Sequence, residues 1–238
     1  MKVMSYNTMH GVDHMHRIKT KETVVNLDGI VSVIAKYAPD IVGLNEMYDA
    51  PVENLENQVG YLANKLGYEY YYFAGAIDIK GGKYGNGLLS RYPIKKVEKI
   101  MIPDPIIKNE DAFYETRCII KSVIEVDGIE YNVLVSHFGL AKKEQENATE
   151  TLLNEIEGLD NVIFMGDLNM TRENDNIRSI EEKLNNTLYN ESLSFPSDNP
   201  QIKIDYIFTS KNIKYVSPKI LNDVFSDHLP HYVEILRK

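Results

Sequence analysis

Residues 162–169 read VIFMGDLN: four apolar residues, a glycine, and then Asp167, Leu168 and Asn169. A short apolar run of this kind is a strand buried inside a sheet, and the polar tail is what the strand presents at its C-terminal end. The same arrangement recurs along the chain. Val3-Met4-Ser5-Tyr6 leads to Asn7, Ile41-Val42-Gly43-Leu44 to Asn45 and Glu46, and Leu134-Val135-Ser136 to His137. Near the C-terminus, Ser226-Asp227-His228 precedes a last strand at Tyr232–Leu236. Carboxylates, amides and imidazoles gathered where strands end are how a rigid scaffold presents a site.

Working outward, Lys2–Asn7 and Ile41–Asn45 read as strands. Thr23–Ala38 reads as a helix, with Val24, Leu27, Val31 and Ile34 at helical spacing and Pro39 beyond its end. A second helix is expected over Val52–Leu66, stopped by Gly67, and others over Lys142–Gly158 and Asp175–Leu184. Strands are expected near Glu69–Phe73, Gly87–Ser90, Cys118–Val126, Ile129–Ser136, Val162–Met165 and Ile204–Thr209. Asp127-Gly128 between two alternating runs is a hairpin signal. The total of about nine strands and four helices suits an α/β (α+β) sheet system covered by helices. With no repeat, low-complexity tract or Pro/Ser-rich linker in 238 residues, residues 1–238 are expected to form one domain.

Composition excludes several classes. Hydrophobic residues make up 43% and charged residues 26%, so the chain is neither disordered nor collagen-like. No run of about 18 apolar residues exists, so no transmembrane helix is expected. MKVMSYNTMH at the start is too polar for a secretory signal, and the single cysteine, Cys118, fits a reducing cytoplasm. A cytoplasmic location is therefore expected, with secretion the alternative if a leader preceded this strand. A formal charge of −9 argues against binding nucleic acid by bulk electrostatics.

Taken singly, the polar strand ends have ordinary readings: an Asx turn for Asp167 and Asn169, a surface position for Glu46, a hydrogen-bonded structural role for His137. Together they state a chemistry. Carboxylates with amides, without clustered Cys and His, favour a hard cation such as Mg²⁺ or Mn²⁺. An imidazole beside such an ion can handle protons at neutral pH, which suits hydrolysis of a phosphate ester.

Read in order, MSYNTMHG at 4–11, PDIVGLNEM at 39–47, GNGLLSRYPI at 85–94, ETRCII at 115–120, SHFGL at 136–140, MGDLN at 165–169, KIDYIF at 203–208 and SDHLPHYVEI at 226–235 resemble the endonuclease/exonuclease/phosphatase superfamily. The resemblance implies a four-layer αββα sandwich of the deoxyribonuclease-I-like kind and a metal-dependent phosphoester hydrolase. It implies Glu46 as principal metal ligand, helped by Asn7 and Asp227. His228 would be the catalytic imidazole, oriented by Asp205. Asp167 would bind metal or manage a proton, Asn169 would hold phosphate or the attacking water, and His137 would contact the scissile phosphate. Arg117 and Asn86 would serve on the substrate side. Many relatives have Trp where Tyr6 stands and Gln where Asn45 stands.

The substrate is less legible. Residues 95–116 and 170–203, the long segments between motifs, carry more acidic than basic side chains. A small phosphoester or lipid head group is therefore favoured over long DNA, with a DNA or RNA nuclease as the alternative and a non-catalytic binding protein behind it. A monomer is expected, without stable membrane insertion. His10, His14 and His16 crowd the loop after Asn7. They read as a solvated loop, a substrate-reading rim or a zinc site, and Gly11 speaks against a helix there. Met101-Ile102-Pro103, with Ile106 and Ile107, is expected to pack onto the sandwich.

Overall fold

The computed structural model describes residues 1–49, 57–79, 82–108, 111–189 and 192–236. In chain order the strands are β1 Lys2–Asn7, β2 Ile41–Tyr48, β3 Tyr70–Ile79, β4 Gly82–Ser90, β5 Ile94–Met101, β6 Cys118–Val126, β7 Ile129–Ser136, β8 Val162–Asp167, β9 Leu184–Asn186, β10 Asp205–Ser210, β11 Tyr215–Ile220 and β12 His231–Ile235. The α-helices are α1 His14–Thr20, α2 Leu27–Tyr37, α3 Gln58–Leu66, α4 Lys142–Ile156 and α5 Asp175–Lys183.

The strands form two six-stranded sheets, ordered β11-β12-β1-β2-β4-β3 and β5-β6-β7-β8-β10-β9. Side chains alternate across each strand, so every central strand feeds two cores. Val3, Ile41, Val133, Ile163 and Met165 fill the space between the sheets. Their neighbours Met4 and Val42 turn outward onto Ile30 and Ile34 of α2 and Leu62 of α3. Leu134 and Phe164 turn outward on the other side, onto Leu152 of α4 and Ile177 of α5. The result is the expected helix–sheet–sheet–helix sandwich.

One pairing in each sheet positions the site. β1 runs parallel to β2, with Asn7 opposite Asn45, and β7 runs parallel to β8. Parallel neighbours end on the same side, so all four of these strands deliver their tails to one edge of the sandwich. The antiparallel partners start where these end: Asp205, first in β10, lies opposite Asp167, and β12 pairs with β1 after the Asp227–His228 loop.

Several expectations are corrected. The helix placed at Thr23–Ala38 begins only at Leu27. Val24 and Val25 stay exposed because the chain there is extended, with Asp13 N donating to Val24 O and Asn26 N to Gly11 O. The described part of the second expected helix is α3, capped by Asn57, whose side chain accepts from Gly60 N; residues 52–56 of that expectation lie outside the described residues. The histidine-rich segment is not a plain loop. A 3₁₀ turn spans Met9–Gly11 and α1 follows, capped by Asp13, so Gly11 ends one helix with φ 83° rather than interrupting another. Strands β5, β9 and β11 are additional, each at a sheet edge, where charged residues in β5, the shortness of β9 and a proline in β11 hide the apolar signal. The expected packing of the 101–107 segment is divided: Ile102 is buried, while Ile106 and Ile107 stand exposed.

Candidate active site

Asn45 and Glu46 are adjacent on a strand and on a regular pleat would face opposite ways. A bulge resolves this. The β2–β4 register shifts between Leu44 and Met47, and Glu46 takes φ 59°, in the left-handed region. Both side chains then serve the same edge. Asn45 Oδ1 accepts from Asp167 N at 2.9 Å, and Glu46 Oε1 accepts from Asn7 Nδ2 at 2.9 Å. The same Asn7 amide donates to Asp167 Oδ2 at 3.0 Å, joining the two sheets.

On the second sheet, Gly166 explains the glycine before Asp167. A Cβ at that position would lie 1.7 Å from Ser136 O, so β7 and β8 approach closely only with glycine there. Asn169 N donates to Asp167 Oδ1 at 2.9 Å. The Asx turn and the site are thus one feature, since the turn aims Asp167 Oδ2 at Asn7. His137 follows β7. Arg117 Nη1 lies 3.0 Å from its Nδ1, and Asn169 Nδ2 lies 3.0 Å from its Nε2. Arginine can only donate, so Nδ1 accepts, while Nε2 faces both the Asn169 amide, itself a donor, and Asp167 Oδ2 at 3.4 Å. Opposite, His228 Nδ1 pairs with Asp205 Oδ2 at 2.9 Å, while its Nε2 sits 3.5 Å from the same Asp167 oxygen.

The electrostatics follow from these partners. Burial pushes His137 well below the usual imidazole value, with the Arg117 and His228 charges adding to the effect. Burial pulls His228 the same way, but Asp205, Asp167 and Asp227 outweigh it and raise the ring to about 10. Asp167 is raised by burial and by Asp205, against the pull of His228. Asp227 is raised by burial, with Glu46 adding to the rise.

Seven of the expected residues, Asn7, Glu46, His137, Asp167, Asn169, Asp205 and His228, form one continuous network of contacts. Asp227 adjoins it through its charge on His228. Arg117 reaches it through His137. Asn86 corrects an expectation. It is buried, with its amide donating to Cys118 O at 2.9 Å and its carbonyl accepting from Asn45 at 2.8 Å, so it backs Asn45 instead of facing substrate. Tyr84 and Glu115 are participants that sequence reasoning missed. Tyr84 donates to Glu46 Oε2 at 2.6 Å, and Glu115 pairs with Arg117 at 3.0 Å. Nothing local in GKYGNG marks Tyr84, because Glu46 is 38 positions away, and the Glu115–Arg117 pair in FYETR is local but gives no sign of the site it adjoins.

For a cation, Asp167, Asp205 and His228 offer ligand atoms within 4.8 Å of one another, and Asp205 Oδ1 is buried with no hydrogen-bond partner among the described groups. Glu46 and Asp227 supply further hard oxygen donors, a set that fits Mg²⁺ or Mn²⁺. Among the described residues His10, His14 and His16 form no such group, and His14 Nε2 bonds Asp198 at 2.8 Å, which corrects the zinc reading.

Among curated protein sequences none matches the chain significantly. Solved structures do. An endonuclease/exonuclease/phosphatase from Beutenbergia cavernae is 22% identical with a TM-score of 0.79, over 99% of this chain and 71% of that one. A mannosyl-6-phosphatase from Bacteroides thetaiotaomicron is 18% identical with a TM-score of 0.74, over 100% of both chains. The human Nocturnin catalytic domain with bound sulfate is 19% identical with a TM-score of 0.73, over 99% and 93%. At such identities the likeness establishes the deoxyribonuclease-I-like fold alone. The sequence profile of the Endonuclease/Exonuclease/phosphatase family, however, matches residues 4–228, from the strand of Asn7 to His228 itself, and the chain belongs to that family.

Proposed function

We propose that the chain is a divalent-metal-dependent hydrolase of phosphoester bonds acting on small substrates. The observation that carries this is the meeting of a 2.9 Å His228–Asp205 pair with Glu46 and Asp167 across the shared Asn7 amide. Glu46 and Asp227, both partly exposed, would hold Mg²⁺ or Mn²⁺, since such ions keep waters and take substrate oxygens. The buried Asp167–Asp205–His228 group is the poorer host, because its ring N–H is already committed to Asp205. When bound, the cation supplies charge neutralisation for the phosphoryl group.

The chain's own residues do the rest. His228, held protonated by three carboxylates, presents Nε2–H to the leaving oxygen of the ester. Neutral His137 and the Asn169 amide bind the remaining phosphoryl oxygens, with Arg117 behind them. Asp167, its carboxylate made more basic by burial, accepts the proton of the attacking water, whose oxygen forms the new P–O bond as the ester P–O bond breaks, and the departing alkoxide takes the Nε2 proton of His228 and leaves as the alcohol. A net charge of −9 supports a small substrate over a polynucleotide.

The test is a panel of a generic phosphomonoester, a generic phosphodiester, plasmid DNA and oligoribonucleotides, each with Mg²⁺, Mn²⁺ or EDTA. Turnover of a small ester above the EDTA control is expected. Glu46→Gln, which trades a charged ligand for a neutral one, should need roughly tenfold more Mg²⁺ for half-maximal rate. Absence of turnover for every substrate, or an unchanged Mg²⁺ requirement in Glu46→Gln, overturns the reading.

A further inference from the structure

Beside the reaction centre lies a cavity of about 770 Å³, within the range of small-molecule sites. Two contacts tie it to the catalytic groups. Tyr84, in its wall, is the same tyrosine that donates to Glu46 at 2.6 Å, and Glu115, also in its wall, pairs with the Arg117 that touches His137. Burial and the Glu46 charge push the Tyr84 phenol far up, so it remains a donor.

The lining describes its occupant. His10, Tyr48, Tyr61 and Tyr84 give aromatic faces, and His10 and Tyr84 meet edge to face at 5.9 Å. None of the described lining residues is Lys or Arg, whereas Asp28 and Glu115 are both present. Among the described residues, a second phosphate would meet two carboxylates and no lysine or arginine here. Nor is the lining suited to a cation: Glu115 is neutralised by Arg117, and Asp28 Oδ1 already accepts from Tyr61 at 2.7 Å. What remains is apolar surface for stacking and spare carboxylate lone pairs for accepting hydrogen bonds.

We infer that this cavity holds the alcohol portion of the substrate: an uncharged ring with an apolar face and a hydrogen-bond-donating edge, carrying a single phosphoester. A sugar ring with hydroxyl groups and a nucleoside with amino and hydroxyl groups share this chemistry. The inference rests on the phosphoester-hydrolase reading and adds the substrate class to it.

The experiment compares kcat/KM for a hexose 6-phosphate, a nucleoside 5′-monophosphate and methyl phosphate in the wild type, His10→Ala and Asp28→Ala. It also measures binding of the corresponding free hexose and nucleoside by ligand-observed NMR. At least one ring ester should exceed methyl phosphate by roughly tenfold or more, the lower end of what filling an apolar pocket gives. That ratio should fall severalfold in both variants through KM, and the ring that binds as free alcohol identifies which source fits. If methyl phosphate is hydrolysed with Mg²⁺ but neither ring ester is preferred, the inference fails and the hydrolase reading stands. If no ester is hydrolysed yet a free ring binds wild type and not Asp28→Ala, the hydrolase reading fails and the cavity assignment stands. No ring binding in any protein overturns the cavity assignment.

Discussion

Two imidazoles face the same oxygen, Asp167 Oδ2, His137 at 3.4 Å and His228 at 3.5 Å. Both are buried, and burial pulls both toward the neutral form. Yet His137 falls well below its usual value while His228 rises to about 10. The difference lies in what stands behind each ring. Behind His137 is the Arg117 guanidinium; behind His228 is the Asp205 carboxylate. Desolvation sets a common penalty, and the neighbouring charge decides its outcome. The neighbouring charges thereby drive two adjacent buried rings in opposite directions.

The largest effect that breaks this pairing is on turnover. His228→Ala should lower kcat at saturating Mg²⁺ by roughly 10²–10⁴-fold, the usual contribution of a positioned proton donor or acceptor, and a loss below threefold would remove His228 from the reaction. Next comes Asp205→Asn, which leaves the ring buried without its main counter-charge. The His228 ring, titrated by NMR in EDTA, should drop from about 10 by more than about one unit, while His137 stays neutral throughout.

Stability should separate the two rings by the sign of their pH dependence. Below pH 6.5 unfolded His137 takes up a proton that the folded site refuses, so the metal-free protein loses stability as pH falls. Folded His228 keeps a proton that the unfolded chain loses above pH 6.5, so stability is lost as pH rises from there toward about 10. His137→Gln should flatten the acid limb of a Tm-against-pH curve in EDTA, and His228→Gln the alkaline limb. Each limb corresponds to at most ~1.4 kcal/mol per pH unit, or about 2–4 °C per kcal/mol for a chain of this size. Limbs that do not respond would place the charge reversal elsewhere. The smallest effect belongs to Arg117→Gln. Removing the guanidinium should raise the His137 ring but leave it below an ordinary imidazole value, because burial, the larger cause, remains; a rise to an ordinary imidazole value would mean that Arg117 governs the ring.

Much of the site is legible in the chain because its signals are local. VIFMGDLN is apolar up to Gly166 and polar at Asp167, and no distant residue is needed to read a buried strand with a functional tail. The hairpin at Asp127-Gly128 is equally plain, and the φ of 52° and 80° at these residues is what that dipeptide permits. Signals fail where the stabilising partner is remote. Charged edge strand β5 forms because β6 offers its hydrogen bonds, and IKKVEKIM carries little sign of it. Val24 continues a helical spacing yet stays extended because Gly11 and Asp13 bond that stretch. Asn86 looks like a polar group at a strand end and is instead a strut for Asn45.

Residue chemistry, then, is written in one dimension: oxygen donors and imidazoles at the ends of apolar strands, in an order that a family shares. Their meeting is not. Asn7 and His228 lie 221 positions apart, and they come within reach only because β1 and β2 pair in parallel while β12 returns antiparallel beside them. Glu46 and Asn45 serve one edge only because a bulge places Glu46 in the left-handed region. The opposite shifts of His137 and His228 arise only once both rings are buried beside different neighbours. Pairing, register and burial are properties of the packed whole, since their free energy comes from contacts between distant segments, and no window of sequence contains them.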